Sequence, residues 1–215
     1  MGPNELAHSL VRELDALPEQ RTSPMRAVRR AFSRRVEDQP PEYVLAVARS
    51  ILADDRHRWV AYELIADHPA ALRSLDREML EELGEGIDSW GSVDAFARTL
   101  SGPAWLEGLV GIDVIRDWAQ SEDRWWRRAA LVSTVALNIR SRGGYGDAER
   151  TLAVCRMLAG DQDDMVVKAL SWALRALVAH DPGAVRTFLR QHDAVLAARV
   201  KREVTNKLET GLKNP

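Results

Sequence analysis

The sequence predicts an all-α protein in which helical hairpins stack as a repeat array, an α-α solenoid. Apolar residues recur at helical spacing throughout the chain, and almost no stretch alternates as a strand would. Five short segments also recur, and their alanines step by 34, 34, 34 and 40 residues: Ala27, Ala61, Ala95, Ala129 and Ala169. A period of this size is typical of helical repeats that bury their apolar faces only against neighbouring repeats. The small alanines are expected where two helices approach closely.

Each helix is predicted from an apolar stripe with capping or breaking residues at its ends. The first helix is predicted from Asn4, as its cap, to about Ala16. Ser23-Pro24 opens the second, with serine as the cap, and Pro40-Pro41 opens the third. The later stripes predict helices near 56–67, 76–84, 91–101, 111–120, 123–140, 147–159, 164–180, 183–190 and 193–210.

The connections between these helices are short and hold Gly, Pro and Asp, as in Ser101-Gly102-Pro103. No long linker or low-complexity segment interrupts the pattern. We therefore expect residues 1–215 to form a single repeat domain.

Composition and charge narrow the class of protein. The chain has 215 residues, 46% of them hydrophobic and 29% charged, which is ordinary for a soluble globular protein. The first residues lack the features of a signal peptide, no apolar run could span a membrane, and Cys155 is the only cysteine. We expect a cytoplasmic protein. The five histidines and Cys155 show no metal-ligand spacing, so no metal or cofactor is predicted.

The net charge of −2 argues weakly against nucleic acid, but the type of cation qualifies that argument. Only four cations are lysines and the rest are arginines, whose forked guanidinium fits phosphate oxygens. The alternative is that a GC-rich genome favours codons for Arg and Ala together.

Charged residues form a row along the array. The residue before each repeated alanine lies about 100° further round its helix, and in the last three repeats this residue is Asp94, Arg128 or Lys168. Trp90 lies four residues before Asp94, and Trp172 lies four residues after Lys168. Residues at this spacing share one helix face. One strip could therefore carry two indoles, one carboxylate and several cations.

Such a strip suits a polyanion that carries a local positive charge. Indole faces attract cations, a carboxylate stabilises positive charge and orients water, and Arg and Lys hold phosphates. A cationic alkylated purine in DNA fits this description, because its glycosidic bond breaks through an oxocarbenium-like state. The alternative is a structural role, in which Trp90 is a hydrophobic staple and Asp94 is a solvated first-turn acid favoured by the helix dipole.

Two other basic clusters have simpler interpretations. The arginines from Arg26 to Arg35 form a solvated helix face or follow a DNA backbone. The last predicted helix caps the array and carries four cations: Arg199, Lys201, Arg202 and Lys207.

Three segments resemble motifs of one family, the bacterial AlkD-type alkylpurine DNA glycosylases. Ile87-Asp88-Ser89-Trp90-Gly91-Ser92-Val93-Asp94 is similar to their Trp-Asp-x-Val-Asp segment. Ser121-Glu122-Asp123-Arg124-Trp125-Trp126-Arg127-Arg128-Ala129-Ala130 is similar to their Ser-Asp/Glu-x-x-Trp-x-x-Arg-Ala-Ala segment, and Val167-Lys168-Ala169-Leu170-Ser171-Trp172-Ala173-Leu174-Arg175 to Lys-Ala-x-x-Trp-x-Leu-Arg. The resemblance covers roughly residues 40–190 in the family's order and spacing.

The resemblance implies a HEAT-like superhelix that acts as a monomer on double-stranded DNA containing alkylated bases. Members hydrolyse the N-glycosidic bond of cationic N3- or N7-alkylated purines, without a metal and without flipping the base into a pocket. Asp94 would stabilise the sugar cation and position the water, and Trp90 and Trp172 would pack against the deoxyribose and backbone. The implied DNA contacts are Arg128, Lys168, Arg175, Arg124 and Arg127. The alternatives are a non-catalytic HEAT-repeat protein that binds damaged or branched DNA, and a protein-interaction scaffold.

Overall fold

The computed structural model describes residues 1–19 and 21–215, apart from the side chain of Asp55. Every regular element within these ranges is helical, and no strand occurs in them. The described chain divides into two compact units, Met1–Gly86 and Ile87–Pro215. The all-α prediction is confirmed, whereas a single domain over residues 1–215 stays a prediction.

The first unit is a stack of helices around a mainly aliphatic core that also buries Phe32 and Tyr62. Its helices are α1 (Pro3–Asp15), α2 (Thr22–Val36), α3 (Pro41–Leu52), α4 (Arg58–Ala66), α5 (Pro69–Arg73) and α6 (Arg77–Gly84). Helix α1 packs against α2 and α3, and α4 packs against α2 and α3. The predicted caps Asn4 and Ser23 are wrong, since α1 begins at Pro3 after Gly2 and α2 begins at Thr22.

The second unit arranges most of its helices in two layers. Its helices are α7 (Trp90–Phe96), α8 (Gly102–Leu106), α9 (Ile112–Ala119), α10 (Arg124–Ala136), α11 (Ala148–Met157), α12 (Asp164–Val178), α13 (Pro182–Gln191) and α14 (Ala198–Thr210). Helices α7, α10, α12 and α14 pack side by side in chain order, while α9, α11 and α13 pack against them as a second layer. This order confirms the solenoid-like prediction.

The repeated alanines mark close helix packing at three of their five positions. Ala61, Ala129 and Ala169 are fully buried, and Ala95 is partly buried. Ala27 is exposed, so the prediction is wrong there. The reason is that the buried residues of α2 begin at Met25 and follow at intervals of three or four residues. Ala27 lies about 200° round the helix from Met25, on the opposite face.

The expected connection at Ser101-Gly102-Pro103 is helical. A π-helical turn, Ala97–Ser101, joins α7 directly to α8. Gly102 allows this path because a Cβ added there would lie 2.7 Å from the Ala136 Cβ of α10. Pro103 is the second residue of α8, directly after the π-helical turn. The sequence signals for a break therefore mark a close helix contact.

Aromatic packing fixes α7, α9 and α10 to one another. Trp105 and Trp118 are buried. The Trp118 and Trp126 ring centroids lie 4.9 Å apart, and Phe96 lies 5.9 Å from each of them. Trp59, in the first unit, is only partly buried. Across the described ranges, every helix is too short or too polar to traverse a lipid bilayer.

Candidate nucleic-acid interface

The start of α7 places Trp90 and Asp94 on one helix face. Ser89 caps the helix: its Oγ accepts from the Ser92 N–H at 3.3 Å, and the Ser89 N–H donates to the Ser92 Oγ at 3.2 Å. The helix thus begins at Trp90, with Asp94 one turn later. The Trp90 residue is 63% exposed, which makes it one of the most exposed large apolar residues among those described.

Asp94 is held by Arg128 from the next repeat, 34 residues along the chain. The Arg128 Nε donates to Oδ1 and Nη2 donates to Oδ2, both at 2.9 Å, in a bidentate pair. The Arg128 Nη1 donates to the Met165 carbonyl at 2.6 Å, which joins α10 to α12. A guanidinium has five N–H donors, so these three bonds leave two of them unused, on a side chain that is only 6% exposed.

Burial raises the pKa of Asp94 above the ordinary aspartate value. Only 18% of its side chain is exposed, and desolvation disfavours the charged form. The hydrogen bonds from Arg128 act in the opposite direction, as do the charges of Arg128 and Arg98. The carboxylate therefore depends on its cationic neighbours to remain ionised in a partly dry position.

Arg98 connects this pair to Trp172 and was not predicted from the sequence. It lies one turn after Asp94, in the π-helical turn, and its guanidinium carbon is 5.5 Å from the centre of the Trp172 ring. This distance is typical of a cation–π contact. The spacing of four residues from Asp94 could have indicated Arg98. The π-helical turn that directs it had no clear sequence signal.

A cleft of about 370 Å³ opens beside Arg128, between α10, α12 and α14. Its lining consists of one indole and five cationic residues: Arg128, Lys168, Trp172, Arg175, Arg199 and Lys213. The structure thus brings together Asp94, Arg128, Lys168, Trp172 and Arg175 by direct contact or around this cleft. Trp90 shares a helix face with Asp94 but does not line the cleft.

Arg124 and Arg127 have different surroundings at the start of α10. Arg127 donates to Asp161 at 2.8 Å and to the carbonyls of Ser121 and Glu122 at 2.9 and 2.7 Å, so it ties the preceding loop to the helix. The exposed Arg124 lies over the Trp125 ring at 4.8 Å. A DNA contact by either arginine stays a prediction.

Within the described residues, no group of three His, Cys, Asp or Glu side chains is placed to hold a metal ion. The thiol of Cys155 is fully buried, and burial raises its pKa.

The family model described as DNA alkylation repair enzyme matches residues 20–208, which include every residue of the row. No curated protein and no solved structure shows a significant match to the chain. A match over this length shows the family, and this chain belongs to the DNA alkylation repair enzymes.

Proposed function

We propose that this protein is a DNA glycosylase that hydrolyses the N-glycosidic bond of cationic N3- or N7-alkylated purines in duplex DNA, without a metal and without base flipping. The observation that carries the proposal is the Asp94 carboxylate, fixed by two hydrogen bonds from Arg128 and still partly exposed. Trp172 lies beside the same arginine in the adjoining cleft.

The chemistry requires little from the protein beyond a placed negative charge. An alkylated purine that is already cationic leaves with the bonding electrons as a neutral base, so it needs no proton from an acid. The sugar is left as an oxocarbenium ion, to which water adds at C1′ before it loses a proton. A carboxylate held in advance stabilises that cation without reorganising during the reaction. Asp94 is suited to this role and to orienting the water.

The surrounding residues are suited to holding DNA. The exposed Trp90 and the cleft-lining Trp172 offer indole faces to deoxyribose. The two unused N–H groups of Arg128 suit a phosphate ligand. The proposed further phosphate contacts are Lys168, Arg175, Arg124 and Arg127. Charge-assisted bonds of this kind are short and strong.

The test is base release from methylated duplex DNA under single-turnover conditions. The protein should release 7-methylguanine or 3-methyladenine. Asp94→Asn should lower the rate by about 10² to 10³, the range found when one preorganised electrostatic contact is removed, and should leave the DNA affinity unchanged. Asp88→Asn is the matched control, because Asp88 is an exposed acid just before the same helix. Release of no base at high enzyme excess would refute the proposal.

The second candidate is a non-catalytic HEAT-repeat protein that binds damaged or branched DNA. The bidentate pairing of Asp94 favours it, because Arg128 offsets the charge that catalysis would use. This candidate predicts salt-dependent binding with a preference for distorted duplexes and no base release. The base-release assay therefore separates the two.

A further inference from the structure

We propose that Arg199 and Lys213 belong to the DNA-binding surface and hold a backbone phosphate in the cleft beside Arg128. The inference rests on the proposed action on duplex DNA. It extends the binding surface to Arg199, for which the sequence predicted only a capping role, and to Lys213, for which it predicted no role. The site is the cleft of about 370 Å³, which has room for a phosphodiester and a flanking sugar.

The fold brings cations to this cleft from three neighbouring helices of one layer, α10, α12 and α14. Arg128 comes from α10, and Lys168, Trp172 and Arg175 come from α12 at intervals of four and three residues, which place them on one face. Arg199 enters from the first turn of α14, the next helix in the same layer.

Lys213 reaches the cleft because the chain reverses after α14. Gly211 has φ +76°, the left-handed conformation that favours glycine at the end of a helix. The reversal lets the Asn206 Nδ2 donate to the Lys213 carbonyl at 3.1 Å. The Lys213 ammonium then lies 3.4 Å from the Glu203 carboxylate of α14.

Carboxylates that do not themselves line the cleft pair with its cations and hold them in place. Asp164 lies 2.6 Å from the Lys168 ammonium and 3.6 Å from the Arg199 guanidinium. The buried Glu203 accepts from the Ser171 hydroxyl at 2.6 Å and also pairs with Lys213.

None of the three acids paired with these cations lines the cleft: Asp94, Asp164 and Glu203. Five cations against three acids leave a net charge of +2, and the cations form the surface that a ligand would meet. A phosphodiester fits this surface, because forked guanidinium groups match its oxygens and the Trp172 ring can pack on the sugar. A short acidic peptide fits less well, since the side chains that the described residues place in the lining are all hydrogen-bond donors and leave peptide N–H groups without a side-chain acceptor.

The experiment measures the salt dependence of binding to an undamaged 20-base-pair duplex. The logarithm of the affinity falls with the logarithm of the salt concentration, with a slope of about −0.9 for each phosphate neutralised. The variant Arg199→Ala/Lys213→Ala should bind several-fold more weakly and should have a slope less steep by about 0.9. Arg199→Lys/Lys213→Arg keeps both charges and should restore the slope. Inorganic phosphate at constant ionic strength should compete only weakly, since the ligand is a backbone phosphate.

The matched control is Arg202→Ala/Lys201→Ala. Arg202 is exposed on the same helix, Lys201 pairs with Asp193, and neither lines the cleft. The control should retain the wild-type slope. If the alanine variant loses helical circular dichroism, Arg199→Gln/Lys213→Gln replaces it at similar side-chain length.

The inference would be overturned if the salt-dependence slope became less steep by the same amount in the control and the test variant. It would also be overturned if the slope of the test variant were unchanged. If the wild-type protein binds DNA and releases base, either of these results leaves the proposed function unchanged. If the wild-type protein has no affinity for the duplex, both the proposed function and this inference are wrong.

Discussion

Replacing Arg128 with methionine tests whether Asp94 depends on its partner for a stable place in the fold. Methionine keeps an unbranched side chain of similar length but removes the charge and all the donors. The Asp94 carboxylate, only 18% exposed, would lose both hydrogen bonds, and the Met165 carbonyl would lose its donor at 2.6 Å. The variant therefore leaves a partly buried charge without compensation.

The expected loss follows from the burial of the pair. Removing one partner of a buried ion pair costs about 3 to 5 kcal/mol, and the residual exposure of Asp94 places the expected value near the lower limit, about 3 kcal/mol. For a chain of this size about 1 kcal/mol shifts Tm by about 2 to 4 °C, so Tm should fall by about 6 to 12 °C. Arg128→Met/Asp94→Asn removes both charges and should recover about 1 kcal/mol or more.

The loss should also depend on pH. In the Arg128→Met variant burial still raises the pKa of Asp94, and the opposing hydrogen bonds and charge of Arg128 are gone. A carboxyl group with a raised pKa in the folded state binds protons more tightly there. Stability therefore falls as pH rises from the ordinary aspartate pKa to the raised one. The destabilisation should be largest at pH 7 and should shrink as pH falls through that range.

The assay is urea unfolding followed by circular dichroism and tryptophan fluorescence at several pH values. Arg116→Met, at an exposed position on α9, is the control for loss of an arginine and should lie near the wild type. The reasoning is wrong if Arg128→Met costs less than about 1 kcal/mol, the size of an ordinary substitution. It is also wrong if the double variant is no more stable than the single one.

Two further predictions concern the aromatic residues of the proposed site. Arg98→Ala should remove a cation–π contact worth about 0.5 to 2 kcal/mol and leave Trp172 less fixed. Base release should fall several-fold, whereas Arg98→Lys should restore part of the rate; equal rates in all three proteins would contradict a positioning role for Arg98. Trp90→Ala should leave the free energy of unfolding within about 0.5 kcal/mol of the wild type, because the residue is 63% exposed. The same variant should lose affinity and base release in single-turnover assays, and unchanged kinetics would place Trp90 outside the site.

The sequence was sufficient for the fold class and for much of the row, because both follow from periodicity. A step of 34 residues places Asp94 and Arg128 at equivalent positions of neighbouring repeats, and the structure joins them directly. Their mutual pairing could not be predicted, since it depends on the distance between α7 and α10. That distance is set by contacts such as Gly102 against Ala136 and the Ser101–Ser133 hydrogen bond of 2.7 Å.

The residues that sequence reasoning missed lie where local rules fail. Arg98 is directed toward Trp172 by a π-helical turn, a feature that arises from packing and has no residue preference comparable to that of a cap. The sequence predicted a capping role for the helix that carries Arg199 and no role for Lys213. Both residues reach the row only because α14 packs beside α12 and the chain reverses at Gly211.

Arg128 links the two halves of the proposed site. It binds Asp94 with two donors and the Met165 carbonyl with a third, and it also lines the cleft that the phosphate would enter. In the free protein its charge helps to keep a desolvated carboxylate ionised. When a phosphate binds in the cleft beside Arg128, the guanidinium shares its positive charge between two anions. Less of that charge then offsets the negative charge of Asp94. On the proposed function, DNA binding would therefore increase the negative potential that Asp94 offers to the sugar cation, through a single side chain that need not move.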